Sequence, residues 1–142
     1  MPDDTHCFYG ADADLIMLGL TLPIKNALII REEYIHMSDK VNMMSTRKEK
    51  HINFELIYLT ILKECLDIEY GCLKEKMQIE YNIDKISRDF IFLFFFIGND
   101  FLPRIYAYNI REKSIEKMIQ GFKDYLVTCE AYITDGTELN LQ

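Results

Sequence analysis

The sequence has no tryptophan, three prolines and six glycines, and it is short of basic residues. Its 16 lysines and arginines stand against 23 aspartates and glutamates, which gives a net charge of −7. Proteins that bind nucleic acid through a diffuse basic surface are normally basic overall, so this charge argues against that class of binder. It leaves open an active site in which carboxylates hold cations that contact a phosphate.

Long apolar runs are also missing. The most apolar stretch, Phe90 to Ile97, has eight residues, whereas a helix that crosses a bilayer needs about 20. This stretch is therefore predicted to be a buried core segment. The N-terminus opens Met1-Pro2-Asp3-Asp4, without the basic and apolar regions of a signal peptide, so we expect an intracellular protein.

The four cysteines form no CxxC pair, and no histidine stands at ligand spacing from them. Zinc binding is therefore not expected, and a disulfide scaffold makes little sense in a chain with 49% apolar residues. We expect reduced, mostly buried thiols at the following positions: Cys7, Cys65, Cys72 and Cys129.

The first part of the chain predicts an α/β fold. Thr5–Tyr9 is β-like, an apolar run from Leu15 reads as a helix, and Pro23 and Asn26 mark a turn. Ala27–Glu32 is then short, apolar and β-branched, as in a buried strand. Strand, helix and strand make the unit of parallel sheets, but two strands do not form a stable sheet, so we expect the chain to be part of something larger.

The middle of the chain predicts a polar segment and then a helix. Ser38 to Lys50 is polar and without periodicity, and its basic residues could contact a phosphate backbone or form a solvated linker. Apolar residues then recur at helical spacing and predict an amphipathic helix from Ile52 to Tyr70, with Gly71 as its C-cap. The acids of this helix are expected on a solvated face.

Two further helices and a hairpin are predicted. One helix begins near Asp84 with a polar side (Lys85, Ser87, Arg88, Asp89), becomes apolar all round, and stops at the Gly98–Pro103 breaker cluster. Another starts in the stretch 111–114, and Asp135-Gly136 between alternating apolar residues signals a hairpin. We therefore predict three parts: an α/β part at residues 1–35, a polar linker at 36–51 and a helical region at 52–142.

Three acids stand out by position. Asp12 and Asp14 lie at the junction between the first strand and the helix that follows it. In open α/β sheets, ligands and reacting groups usually lie at the carboxyl ends of strands. Asp100 follows a very apolar helix, although the helix dipole disfavours an acid at a C-terminus. The alternative is purely structural: Asp12 an N-cap, Asp14 a first-turn acid and Asp100 an acceptor in its turn.

Carboxylates in this number suit a hard cation such as Mg²⁺, which takes oxygen ligands and keeps several waters. Two such ions about 3.5–4 Å apart can activate a water and stabilise the leaving oxygen of a phosphodiester. A two-ion site usually needs more than three carboxylates. On chemistry alone, the chain carries about half of such a site.

The sequence resembles the Xrn family of 5′→3′ exoribonucleases over nearly its whole length. The order and the spacing of the matching blocks are also similar to those of that family. The blocks are Gly10-Ala11-Asp12-Ala13-Asp14-Leu15-Ile16-Met17-Leu18-Gly19-Leu20, Ile30-Arg31-Glu32-Glu33, Phe95-Phe96-Ile97-Gly98-Asn99-Asp100-Phe101-Leu102-Pro103, Asn109-Ile110-Arg111-Glu112 and Tyr132-Ile133-Thr134 through Gly136 to Asn140-Leu141.

The resemblance implies the C-terminal part of a PIN/flap-endonuclease-like α/β core, followed by a helical region and a terminal β-hairpin. It implies degradation of RNA that carries a 5′ monophosphate. Asp12, Asp14 and Asp100 match the family's metal ligands, with Mg²⁺ or Mn²⁺ as cofactor and two ions in the complete site. Asn99 would help to shape the turn rather than bind metal.

The sequence also departs from the family pattern. The family's other catalytic acids and its 5′-phosphate pocket lie upstream of Thr5, so we expect this chain to need that N-terminal half, in cis or in trans, and to be inactive alone. The turns that usually follow the two motifs are replaced here by Thr21-Leu22-Pro23-Ile24 and Arg104-Ile105-Tyr106, so we expect the contacts of those loops to differ from the family's. The residues of the matching motifs favour the nuclear branch of this family, so we expect a nuclear protein.

Two other classes of function remain open. A non-catalytic module of the same fold could bind RNA or a protein partner. A different Asp-x-Asp metal enzyme, such as a glycosyltransferase, would account for Asp12 and Asp14 but would leave the block from Gly98 to Pro103 unexplained.

Overall fold

The computed structural model describes residues 4–33, 53–100, 102, 103, 105, 114–136 and 138–140. Over these residues the chain is a mixed α/β protein with four helices and two small sheets. The elements in chain order are β1 (Thr5–Tyr9), α1 (Ala13–Thr21), β2 (Asn26–Glu33), β3 (Asn53–Tyr58), α2 (Leu59–Gly71), α3 (Ile83–Phe95), α4 (Ser114–Thr128), β4 (Thr134–Asp135) and β5 (Glu138–Leu139).

The larger sheet has the strand order β1-β2-β3. β1 runs parallel to β2, with Thr5 opposite Asn26 and Tyr9 opposite Ile30, and α1 is the crossover between them. The strand–helix–strand unit predicted from the sequence is therefore confirmed. The parallel pairing places the carboxyl ends of both strands at one edge, where α1 begins.

The third strand corrects a prediction. Residues 53–58 form β3, antiparallel to β2, and the helix begins only at Leu59 instead of Ile52. The sequence Asn53-Phe54-Glu55-Leu56-Ile57-Tyr58 alternates as a strand requires. Pairing with β2 also places Glu55 against Arg31, whose Nε lies 2.6 Å from Glu55 Oε2. These residues fit both helical spacing and strand alternation, and pairing with β2 makes them a strand.

The sheet and the helices enclose a first apolar cluster on one face of the sheet. Its buried members come from both strands and helices: Leu20, Ala27, Ile29, Leu59 and Ile91. Gly19 allows α1 and α2 to approach closely, because a Cβ at this position would lie 2.5 Å from Leu59 Cδ1. Burial of these side chains stabilises the fold by about 1.5–3 kcal/mol for each large residue.

A second apolar cluster lies between α2, α3 and α4. Tyr70, Ile86 and Leu126 are fully buried in it, and the ring of Tyr70 packs edge-to-face on Phe122 with ring centroids 5.5 Å apart. Phe90 packs against both clusters. The helices α2 and α3 therefore contribute residues to both clusters.

The burial of α3 differs from the prediction in both halves. Residues 92–97 are half-buried rather than enclosed. Ser87 and Asp89, which the sequence placed on a polar side, are fully buried. Asp89 can be buried because Ile133 N and Thr134 N donate to it over 2.7 and 2.9 Å, and Thr134 Oγ1 over 2.6 Å.

The predicted hairpin is confirmed. β4 and β5 pair antiparallel around Gly136, whose φ of 69° belongs to the left-handed region that favours glycine. Asn140 ties the end of the hairpin back, since its N–H donates to Ile133 O over 2.9 Å and its Nδ2 donates to Tyr132 O over 2.8 Å.

The prediction of mostly buried cysteines is wrong. Cys7, Cys65 and Cys72 are exposed and Cys129 is half-buried; all four are free thiols. Among the described residues no helix is long and apolar enough to cross a membrane. The predicted linker at 36–51 and the start of the last helix at 111–113 lie outside the described residues.

Candidate metal centre

Asp12 stands between β1 and α1 and caps the helix. Its backbone is extended, with φ −74° and ψ 135°, and its Oδ1 accepts a hydrogen bond from Asp14 N over 3.1 Å. Gly10 just before it continues the sheet, donating its N–H to Ile30 O over 3.0 Å. The N-cap role foreseen for Asp12 is therefore real, and it leaves the second carboxylate oxygen for other partners.

Asp14 lies in the first turn of α1, and its carboxylate points inward. The residue is 8% exposed, and its Oδ2 is a buried oxygen for which the structure shows no hydrogen-bond partner. The positive end of the helix dipole contributes to holding the charge there. A buried carboxylate oxygen without a partner is costly, so this atom points to a ligand of positive charge.

Asp100 is presented by the turn that follows α3. Gly98 has a φ of 102°, which reverses the chain after the helix. Asn99 shapes the turn, because its Oδ1 accepts from Leu102 N over 2.7 Å and its N–H donates to Leu102 O over 3.1 Å. The role predicted for Asn99 is thus seen in the structure, and Asp100 is left exposed beside it.

Packing of α1 against α3 brings the three acids together. One carboxylate oxygen from each of Asp12, Asp14 and Asp100 lies within 4.8 Å of the other two. Two of these residues come from a strand-to-helix junction and the third from the end of a helix 86 positions further along the chain than Asp14. The structure therefore assembles the set that the sequence singled out.

The cluster fits a hard divalent cation. Its donors are carboxylate oxygens alone, which is the ligand set that Mg²⁺ and Mn²⁺ prefer. Three negative charges at this separation repel one another unless a cation lies between them. The buried oxygen of Asp14 and the exposed carboxylates of Asp12 and Asp100 would give such an ion one fixed ligand and an open side towards solvent.

Sequence reasoning missed Asp89, which supports the helix that leads to Asp100. Burial raises the pKa of its carboxyl, while the hydrogen bonds from Thr134 and Ile133 act in the opposite direction. Close by, Tyr132 Oη donates to Glu80 O over 2.7 Å and accepts from Asn82 N over 2.9 Å. These bonds fix α3 to the hairpin, and no motif in the sequence signals them.

Comparison with known proteins connects both ends of the chain to one family. A family model described as "XRN 5'-3' exonuclease N-terminus" matches residues 1–33, and one described as "Xrn1 helical domain" matches residues 80–142. Asp12 and Asp14 fall in the first match and Asp100 in the second. Each model thus contributes residues to the acid cluster.

Individual relatives match almost the whole chain. The "5'-3' exoribonuclease 1" of Saccharomyces cerevisiae is 36% identical over 140 residues, which is 96% of this chain and 9% of that protein. The human protein of the same name is 34% identical, over 99% of this chain and 8% of its own length. The "5'-3' exoribonuclease 2" of Candida albicans is 31% identical over 153 residues, 99% of this chain and 16% of that protein. The chain therefore spans between 8% and 16% of these relatives.

Proposed function

This chain belongs to the Xrn family of 5′-3′ exoribonucleases, and we propose that it supplies part of the active site of such an enzyme. The proposed reaction is the metal-dependent removal of nucleotides from the 5′ end of RNA that carries a 5′ monophosphate. The observation that supports the proposal is the meeting of Asp12, Asp14 and Asp100 within 4.8 Å. Two segments that match different models of the family come together in this cluster.

In this proposal the three carboxylates bind Mg²⁺ or Mn²⁺. When bound, such ions activate a water and stabilise the leaving oxygen of a phosphodiester. Asp14 would be the anchored ligand, because it is buried and fixed in the first turn of α1. Asp12 and Asp100 are exposed and can face the scissile phosphate. Without a cation, the same acids would repel the RNA backbone.

We further propose that the chain works only with more of the nuclease. A site with two ions needs more carboxylates than the cluster provides, and the chain spans 8–16% of its relatives. The parallel pair β1–β2 with α1 fits a piece of a PIN/flap-endonuclease-like core, to which an upstream N-terminal half would add the other ligands and the 5′-phosphate pocket. On this proposal the chain alone is inactive or nearly so.

The test is degradation of 5′-monophosphorylated RNA in the presence of Mg²⁺. The purified chain would be assayed alone and together with the rest of the N-terminal exonuclease region of the S. cerevisiae relative. We expect no degradation by the chain alone and 5′→3′ degradation by the pair. Asp100→Ala in the pair should lower the rate at least 100-fold, since a metal ligand is lost.

The matched control is Asp84→Ala, which removes an exposed acid from the other end of α3. This variant should keep the rate of the pair within about two-fold, because surface acids contribute little. Robust degradation by the chain alone would overturn the proposal that it needs a second segment. Full activity of the Asp100→Ala pair would overturn the role of the cluster and favour a non-catalytic binding module of the same fold.

A nuclear location is predicted from the wording of the sequence motifs. The relatives include proteins named exoribonuclease 1 and proteins named exoribonuclease 2, so the lean towards the nuclear branch stays a prediction.

A further inference from the structure

Asp89 lies in the middle of α3 and is fully buried there. Its two carboxylate oxygens accept hydrogen bonds from the start of the hairpin, namely from Ile133 N, Thr134 N and Thr134 Oγ1. Hydrogen bonds to a carboxylate are shorter and stronger than those between neutral groups. They fix one point of α3 to the hairpin in a defined orientation.

A second point of α3 is bonded to the same segment. Asn82, the N-cap of α3, donates its N–H to Tyr132 Oη over 2.9 Å, and Tyr132 Oη donates to Glu80 O over 2.7 Å. Asn82 and Asp89 are seven positions apart, which is about two helical turns, so both points lie on one side of α3. Two bonded points on one side of a helix oppose its rotation and its movement along its own axis.

The other contacts described for α3 hold it with less directional precision. Phe90 and Ile91 pack in the apolar clusters, and the hydrophobic effect has no preferred direction. Lys63 pairs with Asp84 over 2.7 Å, but the side chain of Asp84 is 67% exposed, and exposed ion pairs contribute little. Rotation of α3 is therefore controlled mainly by its hydrogen bonds to the segment that begins at Tyr132.

Hydrogen-bonded turns connect the end of α3 to Asp100. Gly98 N donates to Phe95 O over 3.2 Å, and Ile105 N donates back to Phe96 O over 3.1 Å. A movement of α3 is therefore transmitted to the turn that presents Asp100. The other two acids of the cluster belong to the start of α1 and do not follow this movement.

The acid cluster depends on the position of α3, because its ligands come from two helices that are far apart in the sequence. Mg²⁺ requires near-ideal octahedral geometry with ligands at about 2.0–2.1 Å, whereas Ca²⁺ accepts flexible geometry with ligands at about 2.3–2.6 Å. A ligand displaced by about 1 Å therefore weakens the binding of Mg²⁺ much more than the binding of Ca²⁺.

We propose that Asp89 is a positioning residue that sets the selectivity of the acid cluster for Mg²⁺ over Ca²⁺. It acts through α3, which it holds in the position where the carboxylate of Asp100 lies within 4.8 Å of those of Asp12 and Asp14. The inference rests on the proposed function, and it adds the residue that determines which cation the cluster selects.

A role in stability alone predicts a different result. Loss of folded chain lowers the apparent affinity for every cation by the same factor, because only the folded state holds the cluster together. Displacement of one ligand lowers the affinity for Mg²⁺ selectively. The ratio of the two affinities therefore separates positioning from stability.

The test measures the affinity of the purified chain for Mg²⁺ and Ca²⁺ by competition with Mn²⁺, whose free fraction is followed by electron paramagnetic resonance. Circular dichroism first establishes a temperature at which the variants are folded. We expect Asp89→Asn to lower the affinity for Mg²⁺ about ten-fold or more and that for Ca²⁺ less than about three-fold.

A second variant is Thr134→Val, which keeps the carboxylate of Asp89 and removes only the hydroxyl donor to its Oδ1. It provides the answer if Asp89→Asn does not fold, and it should lower the ratio of Mg²⁺ to Ca²⁺ affinity about three-fold. The matched control is Leu126→Ala, which leaves a cavity in the second apolar cluster and destabilises the chain without removing a hydrogen bond of Asp89. This control should keep the ratio within about two-fold.

An unchanged ratio in both Asp89→Asn and Thr134→Val would overturn the inference, as would the same change of ratio in Leu126→Ala. Asp14→Asn separates these failures from failure of the proposed function. If Asp14→Asn abolishes binding while the Asp89 and Thr134 variants keep the ratio, the metal site stands and only the inference is lost. If the unaltered chain and Asp14→Asn bind the ions equally, the proposed metal site is removed and the inference with it.

Discussion

At the scale of single residues, Asp14 combines burial with negative charge and an oxygen that has no partner. Leaving a buried acceptor unsatisfied costs about 1–3 kcal/mol, and more for a charged group. The neighbouring carboxylates of Asp12 and Asp100 add repulsion. A protein keeps such an arrangement where binding of a ligand compensates for it.

Asp14→Asn is therefore expected to leave the metal-free chain as stable as before or to stabilise it by about 1 kcal/mol. We expect about 10 mM Mn²⁺ to raise the melting temperature of the unaltered chain and Asp14→Asn to abolish this rise, since stabilisation by a ligand depends on its affinity for the folded state. Thermal unfolding in chelator and in Mn²⁺ measures both effects.

The control is Asp84→Asn, which removes an acid in the same position of another helix, two residues after the N-cap Asn82. Asp84 is exposed and pairs with Lys63 over 2.7 Å. This variant should keep the full response to Mn²⁺. A response retained by Asp14→Asn would show that Asp14 is only a first-turn acid.

Asp89 gives a second prediction, on stability and pH. Asp89→Asn replaces one of the two acceptor oxygens by an NH2 group, whose hydrogens face the donors of either Ile133 or Thr134, so it should destabilise the fold by about 1–3 kcal/mol. Burial raises the pKa of Asp89 above its ordinary value of 3.8. The folded chain therefore binds a proton at this carboxyl more tightly than the unfolded chain does. The stability that protonation contributes is present at low pH and is lost as the pH rises through the folded-state pKa.

The difference in unfolding free energy between the unaltered chain and Asp89→Asn should accordingly be largest at acid pH and shrink towards neutral pH. Urea titrations across this range measure it. Asp124→Asn, an exposed acid on α4 that accepts from Gln120, serves as the control and should change stability by less than about 0.5 kcal/mol. A difference that grows with pH would contradict the direction of the shift.

The sequence was informative at the residues of the cluster and uninformative at Asp89. Asp12 and Asp14 follow a strand pattern directly, and Asp100 follows a breaker cluster, so local signals locate all three. Asp89 stands next to Arg88 on what reads as a solvated side. Its partners lie 44 and 45 positions away in the chain, and a local pattern cannot contain them.

At the scale of elements, β3 shows why periodicity alone was not sufficient. Phe54, Ile57 and Ile61 fit helical spacing, while Phe54, Leu56 and Tyr58 fit the alternation of a strand. The residues before Leu59 are extended because β2 offers them a ladder of hydrogen bonds. By contrast, β1, the hairpin and the course of α3 were predictable, because breakers or strong patterns bound them.

The contact between α1 and α2 gives a prediction with an internal control. Gly19→Ala would place a Cβ 2.5 Å from the buried Leu59 Cδ1, so overpacking should outweigh the gain in helix propensity and destabilise the chain by about 1–2 kcal/mol. Gly121→Ala in α4 meets no atom within 4 Å and should stabilise by about 0.5–1 kcal/mol. Thermal unfolding of both variants measures whether each substitution stabilises or destabilises the chain. A more stable Gly19→Ala chain would mean that Leu59 can move aside.

At the scale of the whole molecule, the two stretches that match the family models are separate in the sequence but pack against each other in the fold. The first apolar cluster combines residues of the stretch that matches the N-terminal model with Ile91 from the stretch that matches the helical model. A sequence pattern locates each stretch, but the contact between α1 and α3 appears only in three dimensions. The acid cluster depends on this contact, because Asp100 comes from the second stretch.

Phe90 is a side chain shared by both clusters, so we expect it to couple their unfolding. Its ring lies 6.1 Å from that of Tyr70 between centroids and 4.5 Å from that of Phe94. Phe90→Ala should cost about 3 kcal/mol and uncouple the clusters, so that the calorimetric enthalpy exceeds the van't Hoff enthalpy. Phe92→Ala, on the same helix but outside both clusters, should leave the two enthalpies equal. A single aromatic ring would then decide whether the acid cluster is lost in one step with the hairpin or in a separate transition.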